Sequence, residues 1–510
     1  MEQAIVSYLS PISVVSDQFT IERELSKVEG FSGIARVFHD DNAVIAYVDD
    51  DLIDEWVMKV RIQDNVDYCI KNYRLKLYSF QEQILGDNTN PYEANLYKLR
   101  QHHRMERAKS AKGTKVGIID SGLASHPYTP SLTFQAVLKN KEHWHPLVKD
   151  NYLVESCLEK IVTKETNTSR EDYQDFIYWT KTQLTDLKIQ LWEKTRSEVK
   201  KTGYATSGDF LLDKGLLGLL GKVSLDSRNF TNEGDQFDIE DYHGHGTSMA
   251  SIFSGFDSIN EEVATNKLIP LTLGLATHAE LVVLKVYNHE DDVRLDKLLE
   301  ALTHATNVEL DVLYIGLGFV EADSSYREIK PLERRLNKLK DTECIVVCPA
   351  GNVGSKGLTF PAALDSTIAV TSINFSGDTF ELNQHSSYVT NSDESVAFCA
   401  FGGDDSVKEH KNVLCPSNNY GYSLHMGTSV AGAITTSIIA TYISQEIMKV
   451  YTQNAHLFVN EEPLNAYISK VCDNNINAKN VLETLYKQAF REEPSSFYGY
   501  GLIRFPLDSY

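Results

Sequence analysis

The chain has 510 residues, 42% hydrophobic and 24% charged, which is the balance of a folded globular protein and leaves room for more than one domain. Its net charge of −22 disfavours nucleic acid and anionic membrane as partners, since both would be repelled. No run of about 18 apolar residues is present and the first residues lack the basic start and apolar core of a secretory signal, so a cytoplasmic protein with no membrane span is expected. Seven scattered cysteines without a CxxC pair fit reduced, buried thiols and give no reason to expect a metal site.

Residues 1–79 read as strand, helix, strand, strand, helix, strand. Ala4–Leu9 is apolar, and Phe19, Ile21, Leu25 and Val28 recur at helical spacing before Gly30. Ile34–Phe38 and Ala43–Val48 flank an Asp-Asp-Asn turn, Leu52–Ile62 is helical again, and Val66–Tyr78 holds the last strand. This order predicts a small ferredoxin-like α+β unit. A polar stretch, Phe80–Asn90, reads as a loop, and residues 80–112 as a linker leading into the next unit.

From residue 113 the pattern changes to short buried strands, Lys115–Ile119, Leu281–Val286, Val312–Leu317 and Cys344–Cys348, partly separated by helices such as Leu295–Thr306. Strands alternating with helices predict a parallel α/β sheet with helices on both faces over 113–510. About 128–220 interrupts this unit. There a capping box at Thr168–Glu171 precedes Tyr173, Phe176, Ile177, Thr180, Leu184, Leu187 and Leu191 at threes and fours, which predicts a long amphipathic helix and a helical insertion.

A serine becomes a nucleophile when a base takes its proton, a carboxylate orients that base and donors hold the oxyanion. Asp120 closes an apolar strand in IIDSG, His245 lies in HGHGT, and Ser429 in GTSVA, in the chain order Asp, His, Ser. These segments, DSGLASHP, HGHGTSMASIFSG and HMGTSVAGA, resemble the catalytic segments of the subtilase family, and Pro349-Ala350-Gly351-Asn352 resembles its oxyanion turn. The resemblance runs from about Pro91 to Phe505, the insertion apart. It implies a subtilisin-like fold and a serine endopeptidase acting on protein or peptide substrates, with Asp120, His245 and Ser429 as triad and Asn352 as oxyanion donor. It selects His245 over His243.

By the same resemblance Gly316, Leu317 and Gly318 would line the substrate groove, with Phe319 narrowing it, and Ala350, Gly351 and Phe360 would border the first pocket. An acidic run, Asn288–Asp292, stands where the opposite edge would be. Ser248 and Ala433 replace a second His and a Pro that the family usually has. No cofactor is required. Calcium is left open without support, because FDSINEEVATNKLIP does not match the family's calcium loop. Residues 1–79 would be a removable, propeptide-like inhibitor, with a mature start between Phe80 and Pro91. The insertion would gate access or dock a regulatory protein. The competing expectation is a catalytically silent protease fold that acts as an interaction protein through that insertion.

Overall fold

The computed structural model describes residues 1–10, 12, 15–38, 42–73, 76–77, 80–83, 99, 101–105, 111, 114–124, 152–167, 175–176, 179–180, 182–183, 186–187, 190, 223–224, 226–233, 236, 238–254, 274–277, 279–287, 294–319, 329–354, 357–376, 379–389, 395–403, 412–418, 422–454, 476–490 and 497–506. The acidic run at 288–292, the capping box at 168–171 and the segment tested for a calcium loop lie outside them.

The first four strands, β1 (Glu2–Tyr8), β2 (Phe31–Phe38), β3 (Ala43–Val48) and β4 (Val66–Lys71), form an antiparallel sheet in the order β2-β3-β1-β4. Helices α1 (Val15–Leu25) and α2 (Ile53–Arg61) cover it. Spacing explains α2: Ile53, Trp56, Val57 and Val60 fall on one face and are all buried. They close a separate core with Ala4, Val6, Leu25, Val44 and Ala46.

Two short strands follow, and both leave this unit. β5 (Lys76–Leu77) pairs with β11 (Leu317–Gly318), and β6 (Phe80–Gln83) pairs with β17 (Tyr422–Met426), each antiparallel. The sequence expectation of one strand through Tyr78 and a loop from Phe80 is thus corrected. Backbone groups of these residues find ladder partners on strand edges of the larger unit, a stabilisation that composition does not reveal.

The larger sheet contains β7 (Lys115–Asp120), β8 (Arg228–Asn229), β9 (Glu280–Lys285), β10 (Val312–Ile315), β12 (Ile345–Pro349), β13 (Ile368–Ser376), β14 (Thr379–Leu382) and β15 (Phe398–Phe401). Its order is β14-β13-β12-β10-β7-β9-β8, with β15 also on β13, and every pairing but β13–β14 is parallel. β16 (Val413–Pro416) joins β17 and β6 in a separate three-stranded sheet.

Side chains alternate across the larger sheet as a two-residue period requires. Val116, Ile118, Val312, Tyr314 and Val347 meet helices α4 (His245–Ser254) and α7 (Thr428–Asn454), joined there by α8 (Ala478–Gln488). Ile119, Leu313, Ile315, Val346 and Cys348 meet α5 (Leu295–Thr306) and α6 (Lys330–Asp341) on the other face. The expected parallel α/β architecture with helices on both faces is therefore present. The small unit lies over the α5/α6 side, where Ile5, Tyr68 and Ile70 join the same apolar cluster.

Of the expected insertion, α3 (Tyr152–Asn167) is described, with Val154, Leu158 and Ile161 fully buried. Phe176, Thr180 and Leu187, from the expected amphipathic helix, are helical and buried as well. The rest of 128–220 lies outside the described residues. None of the described helices is long and apolar enough to cross a membrane.

Candidate active site

Asp120 is the last residue of β7 and has no exposed surface. Both carboxylate oxygens reach His245 Nδ1, at 2.7 and 2.8 Å, and Oδ1 also accepts from Ser121 N–H at 2.7 Å. The strand cannot continue past this point unchanged. Gly122 turns with φ of +118°, and a Cβ there would come 2.5 Å from Ile239 O.

His245 opens α4, so its position depends on how that helix start is held. The first amides of a helix have no partner within it. Here Gly246 N–H donates to Ser121 Oγ at 2.8 Å and Thr247 N–H to Asp241 Oδ2 at 2.8 Å. The buried Asp241 carboxylate also accepts from Thr247 Oγ1, His243 N and Gly244 N, at 2.6, 3.0 and 2.8 Å. Thr247 Oγ1 in turn accepts from Ala124 N–H at 2.9 Å. The segment carrying Asp120 and the helix carrying His245 are thereby tied together on both sides of their own hydrogen bond. Sequence reading passed over Asp241; its signal was an acid four residues before His245, at the edge of a helix start.

Ser429 is the second residue of α7 and is fully buried. Gly427, with φ of +129°, makes the turn from β17, and Tyr314 Oη donates to Ser429 O at 3.1 Å. Among the described residues, Ser429 Oγ and His245 Nε2 are both buried and lack a hydrogen-bond partner. The Asp120–His245 half of the expected relay is therefore formed, and the His245–Ser429 hydrogen bond is not. Such links are often long before substrate binds.

Asn352 follows β12 and is half-buried. Its Oδ1 accepts from Thr428 N and Thr428 Oγ1 at 3.0 and 2.9 Å, and Thr428 Oγ1 accepts from Gly351 N at 3.2 Å. With Oδ1 so engaged, the amide turns its Nδ2 donor away from Thr428. The residue before Ser429 thus sets the orientation of Asn352, which motif matching did not reveal.

Gly316 lies against Asp120: a Cβ there would sit 2.0 Å from Oδ2, so only glycine lets this strand pass the carboxylate. Leu317 and Gly318 form the strand edge that β5 occupies, Leu317 opposite Leu77 and Gly318 opposite Lys76. Phe319 and Phe360 exchange backbone hydrogen bonds of 2.9 Å and stack with ring centres 5.6 Å apart. Thr359 N–H donates to Ala350 O at 3.0 Å, and Gly351 turns with φ of +107° against Thr359. The six residues expected to bind substrate therefore lie around Asp120, Asn352 and this edge.

Other imidazoles and a cation surround the site. His243 meets His245 edge-on at 6.5 Å and Tyr287 at 5.1 Å. His425, on β17, is fully buried against Ser423 Oγ at 2.9 Å, and burial pushes its pKa down to about 3, with His245 and His243 adding to the shift. Lys285 lies opposite Asp120 in the sheet and donates to Glu240 O at 2.7 Å; burial lowers its pKa against the pull of Asp238, Asp241, Glu233 and Glu240. Ser248, where the family usually has a His, donates to Pro416 O at 3.0 Å and ties α4 to β16. No cluster of three or more His, Cys, Asp or Glu suited to a metal occurs among the described residues.

A parallel α/β sheet bearing a buried Asp–His pair beside a serine at a helix start defines a fold and site of the subtilisin type. The family model for Peptidase_S8, the subtilase family, matches residues 111–501, and the chain belongs to that family. It is 26% identical over 248 residues to an intracellular serine protease of Paenibacillus polymyxa, covering 47% of this chain and 65% of that protein. It is 28% identical over 227 residues to the major intracellular serine protease of Bacillus subtilis, covering 43% of this chain and 61% of that one. The matches thus span a little under two thirds of these relatives. Among solved structures, the epidermin leader peptide processing serine protease of Staphylococcus aureus has a similar fold, with a TM-score of 0.55, 16% identity, and coverage of 99% of this chain and 96% of that one.

Proposed function

We propose that this protein is a serine endopeptidase that cleaves protein or peptide substrates through an acyl-enzyme, and that it works inside the cell. The observation that carries the reading is the buried His245 ring, held at Nδ1 by both Asp120 oxygens with Nε2 left unpaired. In that tautomer Nε2 is the base for the Ser429 hydroxyl. Ser429 Oγ attacks the peptide carbonyl, His245 takes its proton, and the carbonyl oxygen becomes an anion held by Asn352 Nδ2 and Ser429 N–H. His245 then returns the proton to the leaving amine, and water releases the acyl group. No step needs a metal. The intracellular reading is supported by the two intracellular proteases to which the chain is similar.

The same reading extends to regulation: the small N-terminal unit acts as a built-in inhibitor. Its support is that β5 lies on the Leu317–Gly318 edge, while β6 lies on β17 with Phe80 opposite Met426, three residues before Ser429. A fluorophosphonate probe tests the chemistry. It should label the wild-type protein at Ser429 and leave Ser429→Ala unlabelled; equal labelling of both, or of neither after removal of residues 1–79 by limited proteolysis, would sink the proposal.

A further inference from the structure

Helix α5 starts without a cap of its own, since Arg294 precedes it and supplies no side-chain hydrogen bond to it. Its first amides are met instead by residues that have just left β4. Leu295 N–H donates to Tyr73 O at 2.7 Å, and Asp296 N–H to Asn72 Oδ1 at 2.9 Å. The same Asn72 amide donates from Nδ2 to Asp296 Oδ1 at 2.7 Å. Asn72 and Asp296 are 2% and 6% exposed, so both bonds form away from water. This contact requires a donor and an acceptor on one planar group. An amide has both; an ionised carboxylate has no donor and would meet Asp296 as a like charge.

The next residue makes an aromatic contact. The Tyr73 ring stacks on Phe319 at 4.8 Å between centres, and Phe319 stacks on Phe360. Three positions further on, Lys76 pairs with Gly318 on the edge assigned above to substrate. In chain order, Asn72 therefore meets the helix start, Tyr73 the Phe319 ring and Lys76 the groove edge.

We propose that the start of α5, together with Phe319 and Phe360, is an outer substrate subsite that takes an asparagine followed by an aromatic residue. These stand four and three positions before the residue that pairs with Gly318. The inference rests on the reading of the Leu317–Gly318 edge as the substrate groove. In the intact chain the occupants are the protein's own Asn72 and Tyr73, with Lys76 and Leu77 on the edge. A protein substrate presents the same chemistry in an extended stretch: an amide to complete the helix cap and a ring to cover Phe319.

The test uses the chain after residues 1–79 have been removed by limited proteolysis, so that its own Asn72, Tyr73 and β5 leave both the subsite and the Leu317–Gly318 edge. A fluorescein-labelled peptide amide with the sequence of residues 72–77, Asn-Tyr-Arg-Leu-Lys-Leu, is titrated and its anisotropy read. The same peptide with alanine at its first two positions serves as comparison. The parent peptide should bind about tenfold more tightly, from a stacked ring and a paired hydrogen bond. Adding Phe319→Ala should bring the two peptides together. Equal affinities, or no binding by either, overturn the inference. If circular dichroism shows the trimmed chain unfolded, residues 1–79 are left in place after the cut and the two peptides are compared by their displacement of them, with the same criteria. Binding is read without any reaction at Ser429, and fluorophosphonate labelling is followed in the same samples. Labelling without discrimination sinks the subsite alone, and discrimination without labelling sinks the peptidase reading alone.

Discussion

At the scale of single residues, the site combines groups that motif matching names with groups that only hold them in place. Ser429→Ala and His245→Ala should each abolish peptide cleavage while thermal melting stays near wild type, whereas His243→Ala should be much milder. Asn352→Ala should cost about 3 kcal/mol of transition-state stabilisation, read as a fall in kcat with little change in KM. Thr428→Val keeps the backbone bond to Asn352 Oδ1 and removes the hydroxyl one, so it should give a smaller loss of the same kind. Buried imidazoles away from the reaction set the acid limit of the fold. His103 is fully buried with Nδ1 on Ile503 O, and burial pushes its pKa down to about 4. A histidine in the unfolded chain titrates near ~6.5, so below that pH the unfolded state binds a proton that the folded state refuses. Stability therefore falls as pH drops from ~6.5 towards 4. His103→Gln should lessen that slope by about 1.4 kcal/mol per pH unit, measured by urea melts across the window.

At the scale of elements, two helix starts and one strand edge organise the molecule. The start of α4 is held by Asp241, which accepts four hydrogen bonds within the turn that presents His245. Asp241→Ala removes an N-terminal cap and leaves buried amides unpaired, so it should cost about 2 kcal/mol in stability. Because α4 begins with His245, kcat should fall further than the remaining folded fraction explains; a fall that only tracks the folded fraction would limit Asp241 to a structural part. The start of α7 works differently. Its first residue, Thr428, uses its hydroxyl on Asn352 and Gly351, so the helix that carries Ser429 also fixes Asn352, the proposed oxyanion donor, through one side chain. Gly316 allows the edge strand to pass the Asp120 carboxylate with no side chain between them.

At the scale of the whole molecule, the two units meet through a partly polar interface. Arg36 pairs with Glu300 at 2.6 and 3.1 Å, Arg294 with Glu2 at 2.9 Å, and Arg334 with Asp67. A cavity of about 450 Å³ lined by Tyr68, Arg334, Arg335 and Lys338 remains between them. An interface that is charged and incompletely filled suits a unit that is released more than one that is permanent. β5 and β6 bracket the site, with Leu77 opposite Leu317 and Phe80 opposite Met426. The chain should therefore cut itself between Leu77 and Phe80. N-terminal sequencing of active material should find a start at Tyr78, Ser79 or Phe80, and Ser429→Ala should remain full length. A start within 81–91 would instead fall only in the Phe80–Pro91 window expected from the sequence.

Sequence alone determined a good deal here, because much of it depends on local pattern. The near-continuous apolar runs in Lys115–Asp120 and Val312–Ile315 suit strands buried between two helix layers, and the α5 boundaries followed from its own spacing. Asp120 and His245 stood in segments short enough to carry a family signature, and the structure brings them within 2.7 Å although 125 positions separate them. What sequence could not decide was pairing between distant segments. Lys76–Leu77 and Phe80–Gln83 have no strand pattern of their own; backbone hydrogen bonding to the edges at 317–318 and 422–426 makes them strands. Asn72 and Tyr73 read as part of a strand through Tyr78 until α5 offers uncapped amides and Phe319 a ring face. Asp241 and Thr428 look like turn residues until the polar groups around His245 and Asn352 need partners. In each case the deciding partner is distant in sequence, and a buried backbone or side-chain polar group goes unpaired only at a cost of kcal/mol size, so the tertiary structure makes the choice.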